Sequence, residues 1–422
     1  MGGQQASSWS PCNSSMDAQG GSKSKRSYSQ SQAIVRVAQI AAHFRHGLAQ
    51  KDGSALSQQS VAKAEKLQRH IVRGLLAHLI LVPPWVIPPG MMIGAMIGSG
   101  LPFGWKGVTT AMGIGGALVA GPPMAARAVL CALLGGMACA SRKSSAIVSA
   151  ALATVMCGIA SMSQGFGRLP RMVDFIMRWA PHFYREAEVR GALQDINPQK
   201  SFFGWHPHGV LCAGFTINGT FNPKFLEAAG KIAWLCDPAL RHRNPGFRLL
   251  CEAYKSPTHA IEACDAASFK EHMGRGENVS FIPGGFLDAV AFQYGKDRIV
   301  LKDRTAFIKY CLQFGYRVHP VYTFGECETY YTMSAFEGFR MRVARNNIPM
   351  AAFFGFPIVP FLPRPQAKIL SYVGTGIDFP LIPSPSNFDI AHWHAIYVAA
   401  VRRLFDENKA EAGFPEAHLE IL

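Results

Sequence analysis

The fold of this chain is decided by Phe203-Gly204-Trp205-His206-Pro207-His208-Gly209-Val210, an octapeptide in which a β-like run leads directly into two histidines. Open α/β sheets place their functional sites at such strand exits. Histidine suits proton transfer near neutral pH because the pKa of its free side chain is about 6.5. Pro207 fixes the backbone between the rings, and Gly209 permits a tight turn beside a bound substrate. The octapeptide therefore predicts a site of proton transfer with His206 and His208 as catalytic residues.

Two other interpretations of this histidine pair stay open at this point. Two histidines in a polar turn need no function, and a His-x-His pair on a strand can ligate zinc or iron. A second pair, His392-Trp393-His394, falls in a predicted helix, where residues two apart point in different directions. The sequence marks no third ligand, so we predict no metal.

A second strand is followed by Pro283-Gly284-Gly285 and, three residues later, by the carboxylate of Asp288. The backbone N–H groups of Gly284 and Gly285 are predicted to face an oxyanion. Asp288 is predicted to orient a histidine or to stabilise its protonated form. The alternative is an ordinary turn at the end of a strand.

From Phe202 onward, short β-rich runs alternate with amphipathic stretches, which predicts an α/β domain with a largely parallel sheet. The predicted strands are 202–205, 231–236, 278–282, 317–324 and 368–374. The predicted helices are 245–254, 266–275, 304–314 and 386–408. The last helix is the clearest, because Ser386 and Asp389 form a capping-box pattern at its start.

The N-terminal half differs in composition. Only 16% of the 422 residues are charged, and the net charge is +15. Residues 1–200 hold 20 Lys/Arg against 7 Asp/Glu, which gives +13 of that charge, and no acid lies between Glu65 and Asp174. This pattern argues against a wholly soluble enzyme, an intrinsically disordered protein and a disulfide-stapled secreted module.

We divide the chain into four segments. They are a disordered basic tail (1–32), a basic amphipathic segment (33–70), a membrane-embedded helical region (71–165) and a cytosolic α/β domain (166–422). Paired prolines interrupt the apolar stretches, so separate spans and a re-entrant hairpin are both compatible with the third segment. Basic residues flank its entry and its exit, which predicts two or four crossings with both ends in the cytosol.

The fourth segment resembles a known family, the type-2 acyl-CoA:diacylglycerol acyltransferases with their monoacylglycerol and wax-alcohol relatives. The resemblance runs from about Phe202 to the C-terminus. It rests on His206-Pro207-His208-Gly209, on Pro283-Gly284-Gly285 followed by an acid, on Arg304-Thr305-Ala306-Phe307-Ile308-Lys309, on Pro320 to Glu326, on Gly355-Phe356-Pro357, and on His394-Ala395-Ile396-Tyr397. The family usually has glutamate where this chain has Asp288.

The resemblance implies transfer of an acyl group from acyl-CoA to diacylglycerol, which makes triacylglycerol without a cofactor. Monoacylglycerol and fatty alcohols are the alternative acceptors. It also implies a glycerolipid-acyltransferase-like fold with a mixed or parallel sheet, preceded by a transmembrane or re-entrant helical hairpin. We expect the enzyme in the endoplasmic reticulum membrane or on lipid droplets, in contact with a bilayer. A homodimer is compatible with this prediction, and nucleic acid is not an expected partner.

Within this hypothesis, either His206 or His208 is the general base that removes the proton of the acceptor hydroxyl. We favour His208, with Asp288 behind it. The phosphates of coenzyme A are expected at a basic patch, by charge-assisted hydrogen bonds. Its members are Arg298, Lys302, Arg304 and Lys309. Glu326 is expected to support the catalytic residues from behind.

Two functions of other classes remain as alternatives. A metal-dependent membrane hydrolase would use both His-x-His pairs, and a lipid-binding protein of the same fold would have no catalytic activity. Two departures from the family pattern suggest the second: Asp288 in place of glutamate, and Arg304-Thr305-Ala306-Phe307 in place of a more basic Arg-Lys-Gly-Phe pattern.

Overall fold

The computed structural model describes residues 58–82, 177–345, 351–357 and 359–422. The predicted tail (1–32) and residues 83–165 of the predicted membrane-embedded region lie outside this part of the chain. Within it, no helix is both long enough and apolar enough to cross a membrane. The first helix, α1 (Gln58–Leu81), runs continuously through the segment boundary predicted at residue 70.

Eight strands form the main sheet, in the order β1-β10-β7-β2-β5-β3-β4, with β11 beside β7. Their bounds are β1 Glu186–Gly191, β2 Ser201–His206, β3 Ile232–Cys236, β4 His259–Ala263, β5 Asn278–Phe281, β7 Arg317–Phe324, β10 Lys368–Val373 and β11 Ile377–Asp378. The two small sheets pair β6 (Asp297–Ile299) with β12 (Leu419–Ile421) and β8 (Tyr331–Thr332) with β9 (Phe353–Phe354).

The main sheet is mixed. Neighbouring strands run parallel except where β7 meets β10 and β11, which are antiparallel to it. The prediction of an α/β domain with a mostly parallel sheet is confirmed. The central strand β2 pairs with β7 on one side and β5 on the other, so Phe202 lies opposite both Val318 and Val279.

Nine helices are described. They are α1 and then α2 Pro223–Ala229, α3 Pro238–Arg243, α4 Pro245–Tyr254, α5 Ala266–Gly274, α6 Gly285–Ala291, α7 Ala306–Phe314, α8 Glu337–Ala344 and α9 Asn387–Asn408. The helix α9 begins with the predicted capping box, since Ser386 and Asp389 bond each other's backbone N–H groups. Residues 214–220 form a π-helix.

The apolar core has two halves, one on each face of the sheet. Successive side chains of a strand point to opposite faces, so Phe202 belongs to one buried cluster and Phe203 to the other. The cluster around Phe202 is covered by α5, α7 and α9, and the cluster around Phe203 is covered by α1, α2, α4 and the π-helix. The sheet is therefore the middle of three layers.

The topology brings the chemistry-bearing segments to one edge. The parallel strands β2, β5 and β7 all end there, and each is followed by a segment singled out from the sequence. His206 is the last residue of β2, Pro283-Gly284-Gly285 follows β5, and Gly325-Glu326 follows β7. The carboxyl ends of neighbouring parallel strands are where sheets of this kind bind ligands.

Candidate active site

His206 ends the central strand and is completely buried. Its Nε2 lies 2.9 Å from the hydroxyl oxygen of Tyr397, a residue of α9. Its Nδ1 is buried too and has no hydrogen-bond partner in the part of the chain that the structure describes. Burial lowers the pKa of His206 to about 3, because charging the ring would remove a cation from water without compensation. The ring is therefore neutral at physiological pH.

The hydroxyl of Tyr397 also donates to the backbone carbonyl of Gly204, at 3.3 Å. A side chain at Gly204 would not fit, because its Cβ would lie 2.0 Å from that hydroxyl oxygen. The ring of Phe307 packs edge-on against Tyr397, with centroids 5.1 Å apart. The hydroxyl of Tyr397 thus lies against the backbone of β2, two residues before His206.

His208 is half-buried, two residues beyond His206. Its Nδ1 lies 3.0 Å from the carbonyl oxygen of Gly209, and its Nε2 lies 3.2 Å from the sulfur of Cys212. A carbonyl can only accept, so Nδ1 carries the hydrogen and the thiol can donate to Nε2. Burial lowers the pKa of His208, against the opposing effect of the bond to Gly209. Both ring nitrogens of His208 therefore have neighbours inside the protein.

Asp288 lies under the histidine loop, but it does not orient an imidazole as predicted. One carboxylate oxygen accepts the backbone N–H of His208 at 3.1 Å, and the other accepts the backbone N–H of Val300. Burial raises the pKa of Asp288 to about 7, although both N–H bonds oppose the shift. The carboxyl group therefore holds the loop backbone, and its link to the ring of His208 is indirect.

The two glycines of the second turn differ from each other in their contacts. The backbone N–H of Gly285 donates to the carbonyl of Ile282 at 3.1 Å, so it is occupied within the turn. At Gly284, a Cβ would lie 2.1 Å from the carboxyl group of Asp288. Gly284 thus makes room for Asp288, which explains why a glycine is needed there irrespective of any oxyanion.

Glu326 supports the loop from the other side, and it is buried as well. Its two carboxylate oxygens accept the backbone N–H groups of Ala213 and Gly214, at 3.0 and 2.7 Å. It also occupies the space beside Gly209, whose Cβ would lie 2.3 Å from the carboxylate. Burial raises the pKa of Glu326 to about 7. Two buried carboxyl groups, Asp288 and Glu326, therefore hold the backbone on either side of the histidines.

The predicted basic patch is divided by the structure. Arg298 is not available to a phosphate, because its guanidinium pairs with Glu337 at 2.9 Å and Glu420 at 2.7 Å and its side chain is only 8% exposed. Lys302 and Lys309 are exposed, and Arg304 is half-buried. Arg304 is also close enough to Asp288 to lower the pKa of that carboxyl slightly against the effect of burial.

Lys302 lines an open groove of about 510 Å³ together with Arg402, which the sequence did not single out. The rest of the groove is formed by His394, Ala395, Val398, Ala399 and Ile421. Arg402 lies one turn after Val398 on α9, so the spacing of that helix could have indicated a shared face. The groove combines two cationic side chains with an apolar floor.

The second histidine pair does not join the first. His392 is exposed on α9, whereas His394 is buried with its Nε2 3.0 Å from the carbonyl oxygen of Leu301. Among the described residues, no three His, Cys, Asp or Glu side chains are grouped so that they could hold a metal ion.

The part of the chain that forms this site is similar to known proteins. The family model for diacylglycerol acyltransferase matches residues 174–422, more than half of the sequence and all of the sheet. The chain belongs to the diacylglycerol acyltransferase family. The histidine loop and the two buried carboxyl groups, Asp288 and Glu326, lie inside the matched range.

Individual members of the family are similar over the same region. Diacylglycerol O-acyltransferase 2 of Dictyostelium discoideum is 29% identical, over 51% of this chain and 68% of that protein. The protein of the same name from Danio rerio is 31% identical, over 54% and 66%. The one from Homo sapiens is 28% identical, over 53% and 60%. No solved structure matches the chain.

Proposed function

We propose that this member of the family is an acyl-CoA:diacylglycerol O-acyltransferase, which moves a fatty acyl group from coenzyme A to the free hydroxyl of diacylglycerol. The observation that carries this proposal is the unpartnered Nδ1 of His206, at the edge where β2, β5 and β7 end. A neutral ring with one unshared lone pair can accept a proton from an alcohol. The names of the similar proteins supply the substrate class.

In this mechanism the geometry favours His206 over His208 as the base, because both nitrogens of His208 already have neighbours. Nδ1 of His206 takes the hydroxyl proton as the alcohol oxygen attacks the thioester carbonyl. The tetrahedral intermediate then releases coenzyme A as a thiolate, which takes the proton back from the imidazolium. The ester has formed, the thioester has broken, and His206 is neutral again.

The oxyanion of that intermediate needs hydrogen-bond donors. Of the groups predicted for it, the N–H of Gly285 is engaged with Ile282. The N–H of Gly284 and the ring of His208 stay the proposed partners.

For acyl-CoA, we propose the groove that holds Lys302 and Arg402. Two cations suit the phosphates, and the apolar floor suits the pantetheine arm and the adenine ring. Arg304 and Lys309 remain proposed contacts, and Arg298 is replaced by Arg402 because its charge is already paired.

We also propose that the protein works at a membrane, as expected from the composition of residues 71–165. In support, the helix α1 exposes a set of large apolar side chains, each between 40 and 48% accessible. They are Ile71, Val72, Leu76, Leu79 and Ile80. The endoplasmic reticulum, the number of crossings and a homodimer remain predictions.

The test is an acyl-transfer assay on membranes that contain the full chain, with labelled oleoyl-CoA and a panel of diacylglycerol, monoacylglycerol and fatty alcohol. We expect labelled triacylglycerol, and a loss of about 100-fold or more in His206→Ala, the typical contribution of a general base. His392→Ala is the matched control, since this histidine is exposed on α9.

Each other outcome points to a different function. Full activity in His206→Ala would refute His206 as the base, and full activity in His208→Ala as well would refute a histidine base altogether. A product only from monoacylglycerol or fatty alcohol would change the acceptor, and lipid binding without any product would indicate a non-catalytic protein.

A further inference from the structure

Among the described residues, the hydroxyl of Tyr397 is the side-chain group that hydrogen-bonds to the ring of His206. The two residues are 191 positions apart, and both are completely buried. Tyr397 lies on the buried face of α9 with Val401 and Leu404, which explains its burial but gives its hydroxyl no role. We propose that Tyr397 is a positioning residue that holds His206 in the tautomer with hydrogen on Nε2, so that the lone pair stands on Nδ1. This inference rests on the proposed function.

Counting hydrogens leads to this assignment. The tyrosine hydroxyl has one hydrogen and two neighbours, Nε2 of His206 at 2.9 Å and the carbonyl oxygen of Gly204 at 3.3 Å. Because the carbonyl can only accept, both contacts are hydrogen bonds only if the hydroxyl donates to Gly204 and Nε2 donates to the hydroxyl. A neutral ring with hydrogen on Nε2 has none on Nδ1, which is the atom without a partner.

The surroundings hold the hydroxyl beside His206. Gly204 leaves the space that a Cβ would fill, and the ring of Phe307 fixes the plane of the tyrosine. Burial raises the pKa of Tyr397 far above its usual value, so the hydroxyl keeps its hydrogen at any working pH. When Nδ1 accepts a proton, the bond from Nε2 becomes charge-assisted, and such bonds are stronger than neutral ones. Tyr397 therefore acts through His206 in both states of the ring.

The variant Tyr397→Phe removes only this hydroxyl. We expect kcat to fall by about tenfold to hundredfold, a size typical of groups that orient a reacting side chain, while KM for both substrates stays the same. Tyr316→Phe is the matched control, because that tyrosine is also buried and its hydroxyl donates to the carbonyls of Glu277 and Met273, away from the histidines. It should keep the kcat of the wild type.

A second measurement separates tautomer control from a merely structural role. In full-length protein labelled with ¹⁵N-histidine, the nitrogen shifts of His206, identified by their loss in His206→Gln, report which nitrogen carries the hydrogen. We expect hydrogen on Nε2 in the wild type and a mixture of both tautomers in Tyr397→Phe.

The inference is overturned if the wild type carries hydrogen on Nδ1, a result that does not depend on whether the variant folds. It is also overturned if Tyr397→Phe keeps full kcat and an unchanged tautomer. Failure of the proposed function looks different, because the wild type itself would then make no triacylglycerol.

Discussion

At the scale of single residues, the site depends on where the backbone leaves room for a carboxyl group. Gly209 and Gly285 both have positive φ, +61° and +53°. Gly209 was predicted to permit a tight turn beside the substrate, and Gly285 to face an oxyanion. Their surroundings differ. A Cβ at Gly209 would overlap Glu326, whereas a Cβ at Gly285 would meet nothing within 4 Å.

This difference gives a paired prediction. Gly285→Ala should cost about 1 kcal/mol, since only the left-handed backbone is strained. Gly209→Ala should cost about 1–3 kcal/mol more, because the methyl group must also displace a buried carboxylate. The midpoint of thermal unfolding measures both variants. Equal losses would mean that Glu326 does not occupy the space beside Gly209.

The residue types of the site were predictable from the sequence, but the contacting atoms were not. His206, His208, Asp288 and Glu326 do come together. The sequence cannot say that Asp288 accepts from backbone N–H groups of His208 and Val300 instead of from a ring. Those contacts depend on how far the histidine loop lies from the end of the sheet, and the local sequence pattern does not specify that distance.

At the scale of elements, Arg298 links parts of the chain that are far apart in sequence. It lies on β6 and bonds Glu337 on α8, Glu420 on β12 and the carbonyl of Ala291 at the end of α6. Arg298 was expected to bind phosphate as part of a basic patch. Because it bonds to three other elements, its role is structural.

Substituting Arg298 and substituting Lys302 should therefore change different properties of the protein. Arg298→Ala should lower the free energy of unfolding by about 1–3 kcal/mol, a range kept modest because Glu337 and Glu420 are partly exposed. Its KM for acyl-CoA should not change. Lys302→Ala should raise that KM severalfold without a change in stability. Steady-state kinetics and denaturant unfolding of both variants test these two roles. A raised KM for acyl-CoA in Arg298→Ala alone would show that Arg298, and not Lys302, contacts acyl-CoA.

Elements with strong local signals were predicted well. The helix α4 has the predicted bounds, α9 differs by one residue, and β7 agrees at both ends. The strand β1 was missed because Glu186-Ala187-Glu188-Val189-Arg190-Gly191 alternates charge with small residues. Its polar side chains are stabilised by ion pairs of Arg190, which a hydropathy pattern does not register. The short α6 was missed because it begins with glycine.

At the scale of the whole molecule, buried titratable groups make stability depend on pH in opposing ways. Glu326 keeps its proton up to about pH 7 in the folded chain, whereas an unfolded glutamate loses it near pH 4.5. Folding then binds a proton between pH 5 and 7, so this group's contribution to stability falls as pH rises. His206 is neutral above about pH 3 when folded and protonates below 6.5 when unfolded, so its contribution rises with pH.

Each effect amounts to about 2 kcal/mol between pH 5 and pH 7. Relative to the wild type, Glu326→Gln should gain about that much more stability on going from pH 5 to pH 7, and His206→Gln should gain about that much less. Urea unfolding followed by tryptophan fluorescence at the two pH values measures both changes. Parallel behaviour of wild type and variants would show that these groups are not buried in their shifted states.

Strand order is the part of the fold that local sequence does not determine. Alternating strands and helices predicted parallel pairing, and most pairs agree. The strand β10 pairs with β7 in the antiparallel direction after a long connection. No turn signal in the sequence specifies that direction.

The pairing of β1 with β10 has a consequence for biosynthesis. Residues 186–191 pair with residues 368–373, whereas β2 first meets a partner in residues 279–281 of β5 and later a second one in β7. Long loops must close before such contacts form, which slows folding. A nascent chain therefore leaves the ribosome with β1 unpaired for most of the domain's translation. Any stop codon before residue 373 should yield a polypeptide with exposed strand edges, which is a target for chaperones and proteolysis.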